Sequence, residues 1–297
     1  VTRNVTVEVS SYNWTNVGNV FNSSTNTVGG EVGTALATNS DGTRIVVSKA
    51  AYKSFMVYLY DLVGETWQET AINTNGIILK RFSMTPDGNC FVYSDGAYNS
   101  SKGRVCVNRW NGSAWSETYI DGPVRLYNEW TSEFGYDNLT ISPNGNYIAS
   151  TIRIQIQYPP TYFINIYKYS SNNWENKHEI ALGSHYGLRM NLRFNSNSSG
   201  LVLANSTYVE VYTMNINGEL SIKGSRVTID EYHFGLELYL NDDMTRFIAS
   251  SYYMVYVYNY SGSGWTQGTT ISTYGPSCVS PNGNYIVTAE QDYPESR

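Results

Sequence analysis

Apolar and polar residues alternate along a strand that recurs through the chain and reaches a tryptophan ten residues after its first apolar position. Val57 leads to Trp67, Val105 to Trp115, Ile164 to Trp174 and Val255 to Trp265. A period of two puts one face of such a segment in a core and the other toward solvent, so the pattern predicts β-strands. A degenerate copy begins at Val209, with Leu220 near the place of the tryptophan, and a copy one residue shorter runs from Val5 to Trp14.

A second pattern precedes each of these strands. Asn39-Ser-Asp-Gly-Thr-Arg-Ile-Val-Val-Ser48 returns as segments starting at Thr85, Ser142 and Ser280, with weaker copies at Asn195 and Asn241 that carry Ser198 and Met244 in the glycine position. Proline presets φ, Asp or Asn tolerates a left-handed conformation, and Gly takes positive φ without strain, so each segment predicts a hairpin turn. Each unit then supplies four strands: A before the turn, B after it, C the alternating strand, and D starting at tryptophan. The turns centre on positions 42, 88, 145, 198, 244 and 283, spacings of 46, 57, 53, 46 and 39. Four strands per period of about 40 to 50 residues describe a β-propeller blade.

The expectation is an all-β, six-bladed β-propeller with four-stranded blades. The chain opens with strands C and D (Val5 to Val9, Trp14 to Val20) and finishes with A and B (Cys278 to Val279, Tyr285 to Thr288). Together these would complete the sixth blade, close the ring and remove exposed sheet edges. Residues 1–297 thus read as a single domain.

The turn segments resemble the Ser-Pro-Asp-Gly repeats of TolB-like and quinoprotein-like propellers. Trp14-Thr-Asn-Val-Gly with the following Asn-Ser-Asp-Gly-Thr-Arg-Ile-Val-Val is similar to FG-GAP-like surface propellers of bacteria, algae and their large viruses. The resemblance covers architecture and implies no particular activity. The Asp-X-Asp-X-Asp-Gly calcium loop of FG-GAP repeats is absent, so it implies no calcium site either.

Composition narrows the function. The chain carries 27 Tyr, 25 Gly and only 15% charged residues, with a net charge of −6. Nucleic acid is not expected as a partner, since phosphate binding needs clustered Lys and Arg. No run approaches a membrane span, so no membrane insertion is expected. The first residue is Val and not Met, which suggests a processed or excerpted product; with nine Asn-X-Ser/Thr sequons the expectation is an extracellular or virion-surface glycoprotein. Three cysteines are too few for a disulfide framework or a zinc site. Cys90 and Cys106 could meet across a hairpin as a disulfide, or serve as small buried hydrophobes.

Alternation along strand A assigns Arg81, Asn191, Arg193, Glu237 and Tyr239 to the central channel. One carboxylate, two arginines and no histidine make neither a metal site nor a carboxylate pair, so no metal and no cofactor are expected. No Gly-X-Ser-X-Gly nucleophile turn occurs, and the chain is not expected to be an enzyme. The candidate partner surface is the long D-to-A loop with Arg125, Tyr127, Trp130 and Glu133, beside an extended hairpin with Arg153, Gln155, Gln157 and Tyr158. Aromatic and arginine residues on loops favour recognition. The leading expectation is a non-catalytic interaction or assembly module on a virion or cell surface, with a protein partner. The alternative is a glycan-binding propeller, which predicts Trp or Tyr platforms in pockets between blades with Asn, Asp or Arg nearby; a propeller hydrolase ranks behind both.

Overall fold

The computed structural model describes residues 32–51, 54–77, 79–95, 103–122, 132–154, 159–184, 190–229, 235–251, 253–272, 277–279 and 285–288. All regular structure among them is β. The first sheet orders β1 (Val32–Thr38), β2 (Arg44–Ala51), β3 (Ser54–Val63) and β4 (Thr66–Ile77). The second is β5 (Leu79–Met84), β6 (Cys90–Asp95), β7 (Arg104–Trp110) and β8 (Trp115–Asp121). The third is β9 (Ser132–Ile141), β10 (Tyr147–Ile154), β11 (Thr161–Ser170) and β12 (Asn173–Ser184). In the fourth, β13 (Asn191–Phe194), β14 (Gly200–Ala204) and β15 (Tyr208–Met214) are followed by β16 (Leu220–Ile222) and β17 (Val227–Thr228), which share the outer edge of β15. The fifth is β18 (Leu238–Leu240), β19 (Arg246–Ser250), β20 (Met254–Tyr260) and β21 (Trp265–Ser272). A final pair, β22 (Ser277–Val279) and β23 (Ile286–Thr288), follows.

Every pairing among the described residues is antiparallel, and all but β15 with β17 join neighbours in sequence. The first strands of successive sheets also touch in order: β1 with β5, β5 with β9, β9 with β13, β13 with β18. Four-stranded sheets standing side by side about their innermost strands give a propeller-like fold.

The repeat frame is visible in the turns. Asp41, Asp87, Asn144, Asn197 and Asp243 each accept a hydrogen bond from the backbone N–H two residues on. The next position is left-handed in all five, at Gly42, Gly88 and Gly145 and also at Ser198 (φ 62°) and Met244 (φ 53°). The two degenerate copies therefore keep the backbone of the glycine they lack. A second repeated device comes from strand B: the hydroxyls of Ser48, Thr151 and Ser250 accept from the backbone N–H of Ala35, Asn138 and Glu237 on strand A.

The core lies between sheets. Val92, Leu139, Ile148 and Ile152 join the second and third sheets, while Ala149, Leu192, Leu201 and Leu203 join the third and fourth. Cys90 and Cys106 are both buried free thiols, one on each side of the second sheet. They are not a disulfide, because β6–β7 register pairs Cys90 with Arg109 and Cys106 with Tyr93. Burial pushes both thiols up to about 12.

Candidate functional site

Strands β7 and β8 turn one face toward the first sheet, and alternation puts Cys106, Asn108 and Trp110 of β7 with Trp115, Glu117 and Tyr119 of β8 on it. Opposite stand Asp61 of β3 and Thr70, Ala71 and Ile72 of β4. Between them lies a cleft of about 430 Å³, within the range of small-molecule sites.

Two tryptophans form one end of the cleft. Trp110 and Trp115 lie with ring centroids 5.6 Å apart, and Phe91 packs edge-on against Trp115 from the core at 5.1 Å. The Arg44 guanidinium sits over the Trp115 ring at 5.2 Å and pairs with Asp61 at 2.5 Å. Both tryptophans are half-buried, so each keeps ring surface for a ligand.

Glu117 occupies the floor. Its Oε1 accepts from the Tyr93 hydroxyl at 2.6 Å and from Asn108 Nδ2 at 3.3 Å, and its Oε2 accepts from the Tyr119 hydroxyl at 2.5 Å. Asn73 Nδ2 in turn donates to the Tyr93 hydroxyl at 3.1 Å. An ionised carboxylate offers about four acceptor sites, so three donors leave one open. The hydrogen bond to Glu117 pushes Tyr119 up to about 12, with burial adding to it. Burial holds the Tyr93 hydroxyl well above the ordinary tyrosine range, reinforced by Cys106 and Glu117. Both tyrosines are therefore neutral donors at ordinary pH.

The channel residues lie elsewhere. Asn138 Nδ2 donates to Asn191 Oδ1 at 3.2 Å, Asn191 Nδ2 to the Leu236 carbonyl at 2.8 Å, and Arg193 Nη1 to the Leu238 carbonyl at 3.0 Å. These bonds stitch inner strands of successive sheets together. Arg81, Arg193 and Glu237 are exposed. Crowding by protein raises Glu237 above the usual carboxylate range, and Arg193 opposes the shift. Tyr239 is 5% exposed and packs with Ile248 and Val255, so its ring belongs to the core beyond the fifth sheet.

Of the expected partner surface, Arg125, Tyr127, Trp130, Gln155, Gln157 and Tyr158 lie outside the described residues. Glu133 and Arg153 are backbone register partners on β9 and β10. Beside them, Ile152 and Ile154 are buried with Phe134 and Val105, so the described part of that isoleucine face is covered by the protein itself. Arg153 does not line the cleft. Asn205, one of the sequons, is fully buried, and its Oδ1 caps the turn to Thr207 and Tyr208. It is no acceptor for a glycan in the folded protein.

Sequence reasoning passed over the cleft because Trp115 and Glu117 sit in a frame that repeats. The available signal was small: Thr70 and Ala71 occupy the places held by Lys177 and His178 two sheets later, and Trp110 stands outside the tryptophan frame.

No family model matches the chain, and no curated protein matches its sequence. The likeness to FG-GAP and TolB repeats thus extends no further than propeller form. Solved structures share the fold at low identity. A 6-phosphogluconolactonase-like protein of Bacteroides uniformis aligns with 86% of this chain and 77% of its own, at 15% identity and TM-score 0.58. A chain of the mitotic checkpoint complex aligns over 88% and 72%, at 14% identity and TM-score 0.58. A chain from the complex of KlAtg21 with the coiled-coil of AgAtg16 aligns over 76% and 68%, at 13% identity and TM-score 0.55.

These neighbours show a propeller-type fold. They also correct the expectation of a non-catalytic assembly module on a virion or cell surface. The same frame serves a protein described as a lactonase and chains found in protein complexes, so failure to find a catalytic motif does not lead to that role.

Proposed function

We propose that the chain binds a saccharide in the cleft between its first and second sheets. The observation that carries this reading is the pair of half-buried tryptophan rings beside a hydrogen-bonded carboxylate in a cleft of about 430 Å³. Sugar rings present apolar C–H faces and hydroxyl edges, which suit an aromatic platform next to fixed acceptors. The test is a glycan array read with the native protein and with Trp110→Ala. Repeated hits that weaken about tenfold or more in the variant support the reading; hits that ignore the substitution, or an empty array, refute it.

We also infer that the ring has six blades and is closed. Leu36 and Val287 are 58% and 64% exposed, yet their repeat equivalents Leu139, Leu192 and Leu238, and Val46, Val92 and Val202, are at most 4% exposed. At three boundaries the paired equivalents share one core cluster: Val92 with Leu139, Ala149 with Leu192, Val202 with Leu238. Leu36 and Val287 are then the two halves of a sixth boundary, joining the last sheet to the first. With Cys278 replaced by Ser, cysteines at 36 and 287 should crosslink within one chain. Crosslinked dimers in place of that product would contradict closure.

A further inference from the structure

If the cleft holds a saccharide as proposed, its charge and hydrogen-bond balance selects among saccharides. Part of the donor capacity at the cleft is already engaged, while the Thr70 hydroxyl and the Trp110 and Trp115 indole N–H groups make no hydrogen bond among the described residues. Tyr93, Asn108 and Tyr119 donate to Glu117, and Arg44 donates to Asp61, to the Gly88 carbonyl at 3.0 Å and to Asn89 at 3.5 Å. Arg104 stacks over the Tyr119 ring at 4.3 Å beside Asp95 and does not line the cleft.

Acceptors are not all engaged. Glu117 keeps one acceptor site, and Asp61 uses only Oδ1, for Arg44, among the described residues. Asp61 is about one third exposed, so its second oxygen is open to a ligand. Two carboxylates against one guanidinium leave a local charge of about −1, since Arg44 neutralises one of them. The half-buried Trp110 face adds attraction for a cation.

We propose that the ligand is a basic saccharide, an oligosaccharide whose sugars carry free amino groups. A protonated amine brings up to three donors and one positive charge, which complements open acceptors, a negative cleft and an aromatic face. An N-acetylated sugar loses the charge. A uronic acid would add a third carboxylate to Glu117 and Asp61, with the single Arg44 guanidinium to balance them.

The test uses calorimetry on the full chain with three probes: a glucosamine oligomer with free amines, its N-acetylated counterpart, and an oligogalacturonate. The free amine should bind at least about tenfold tighter than the acetylated form, and the acid should not bind. Because the whole chain is at −6, a polycation could adhere anywhere. Glu117→Gln, which keeps the shape of the side chain, separates the cases by removing the preference for the amine, with folding checked by circular dichroism. Equal binding of the amine and acetylated forms overturns the basic-ligand proposal and leaves saccharide binding standing. So does an amine preference that survives Glu117→Gln. Binding of none of the three overturns both readings.

Discussion

The cleft between the first and second sheets is open at its mouth, whereas the same place between the third and fourth is plugged, although one repeat builds both. At the plugged site the Tyr147 hydroxyl donates to the Ile216 carbonyl at 2.7 Å, which pulls the β15–β16 turn down onto the third sheet. A side chain added at Gly218 in that turn would meet Lys177 and Tyr147 at 3.3 Å. At the open site the frame puts Arg44 in the place of Tyr147, β4 runs regularly through Glu69 and Thr70 where β12 bulges at Lys177, and a side chain added at Gly112 would meet nothing within 4 Å. Repeats fix the framework; the few positions that escape the consensus decide where space is left.

The largest effect should fall on the plugged site. Gly218 and Gly112 both have positive φ, 86° and 98°, so Ala costs about 1 kcal/mol at either from backbone conformation alone. Gly218→Ala must also displace Lys177 and Tyr147, and should cost about 2 kcal/mol or more in urea unfolding. Equal losses at the two glycines would mean that the turns are equally free, and the comparison would fail.

Next comes transfer of the plug. Thr70→Lys places a lysine side chain at the mouth of the open cleft, where Thr70 is exposed. Saccharide binding should fall about tenfold while urea stability moves by no more than about 0.5 kcal/mol. Undiminished binding would place the ligand elsewhere.

The smallest effect concerns the frame itself. Ser198→Gly relieves a left-handed serine but removes the hydroxyl that accepts from the Asn144 backbone N–H at 3.1 Å. Each contribution is about 1 kcal/mol and the two oppose, so the net change should lie within about 0.5 kcal/mol. A large loss would show that the turn is held by this hydroxyl more than by backbone preference.

The fold was legible because strand alternation and Asx-Gly turns are local signals that recur in register. Even Ser198 and Met244, which lack the glycine, could be placed by spacing, and their positive φ follows. The cleft was not legible in the same way. Trp115 and Glu117 look structural when aligned with Trp67 and Glu69, and their role at this site depends on what stands across from them. Thr70 and Ala71 are unremarkable residues until the neighbouring sheet brings Trp110 and Glu117 to face them. Burial of Tyr239 was missed for a related reason: alternation points its ring inward, but Ile248 and Val255 cover it.

The most direct test of the cleft as a binding site is a crystal structure of the protein saturated with a glucosamine oligomer. The account predicts a sugar ring lying against Trp110, with its amine within hydrogen-bond distance of Glu117 or Asp61. An empty cleft with the oligomer bound at another surface, such as the segment around Trp130, would contradict it.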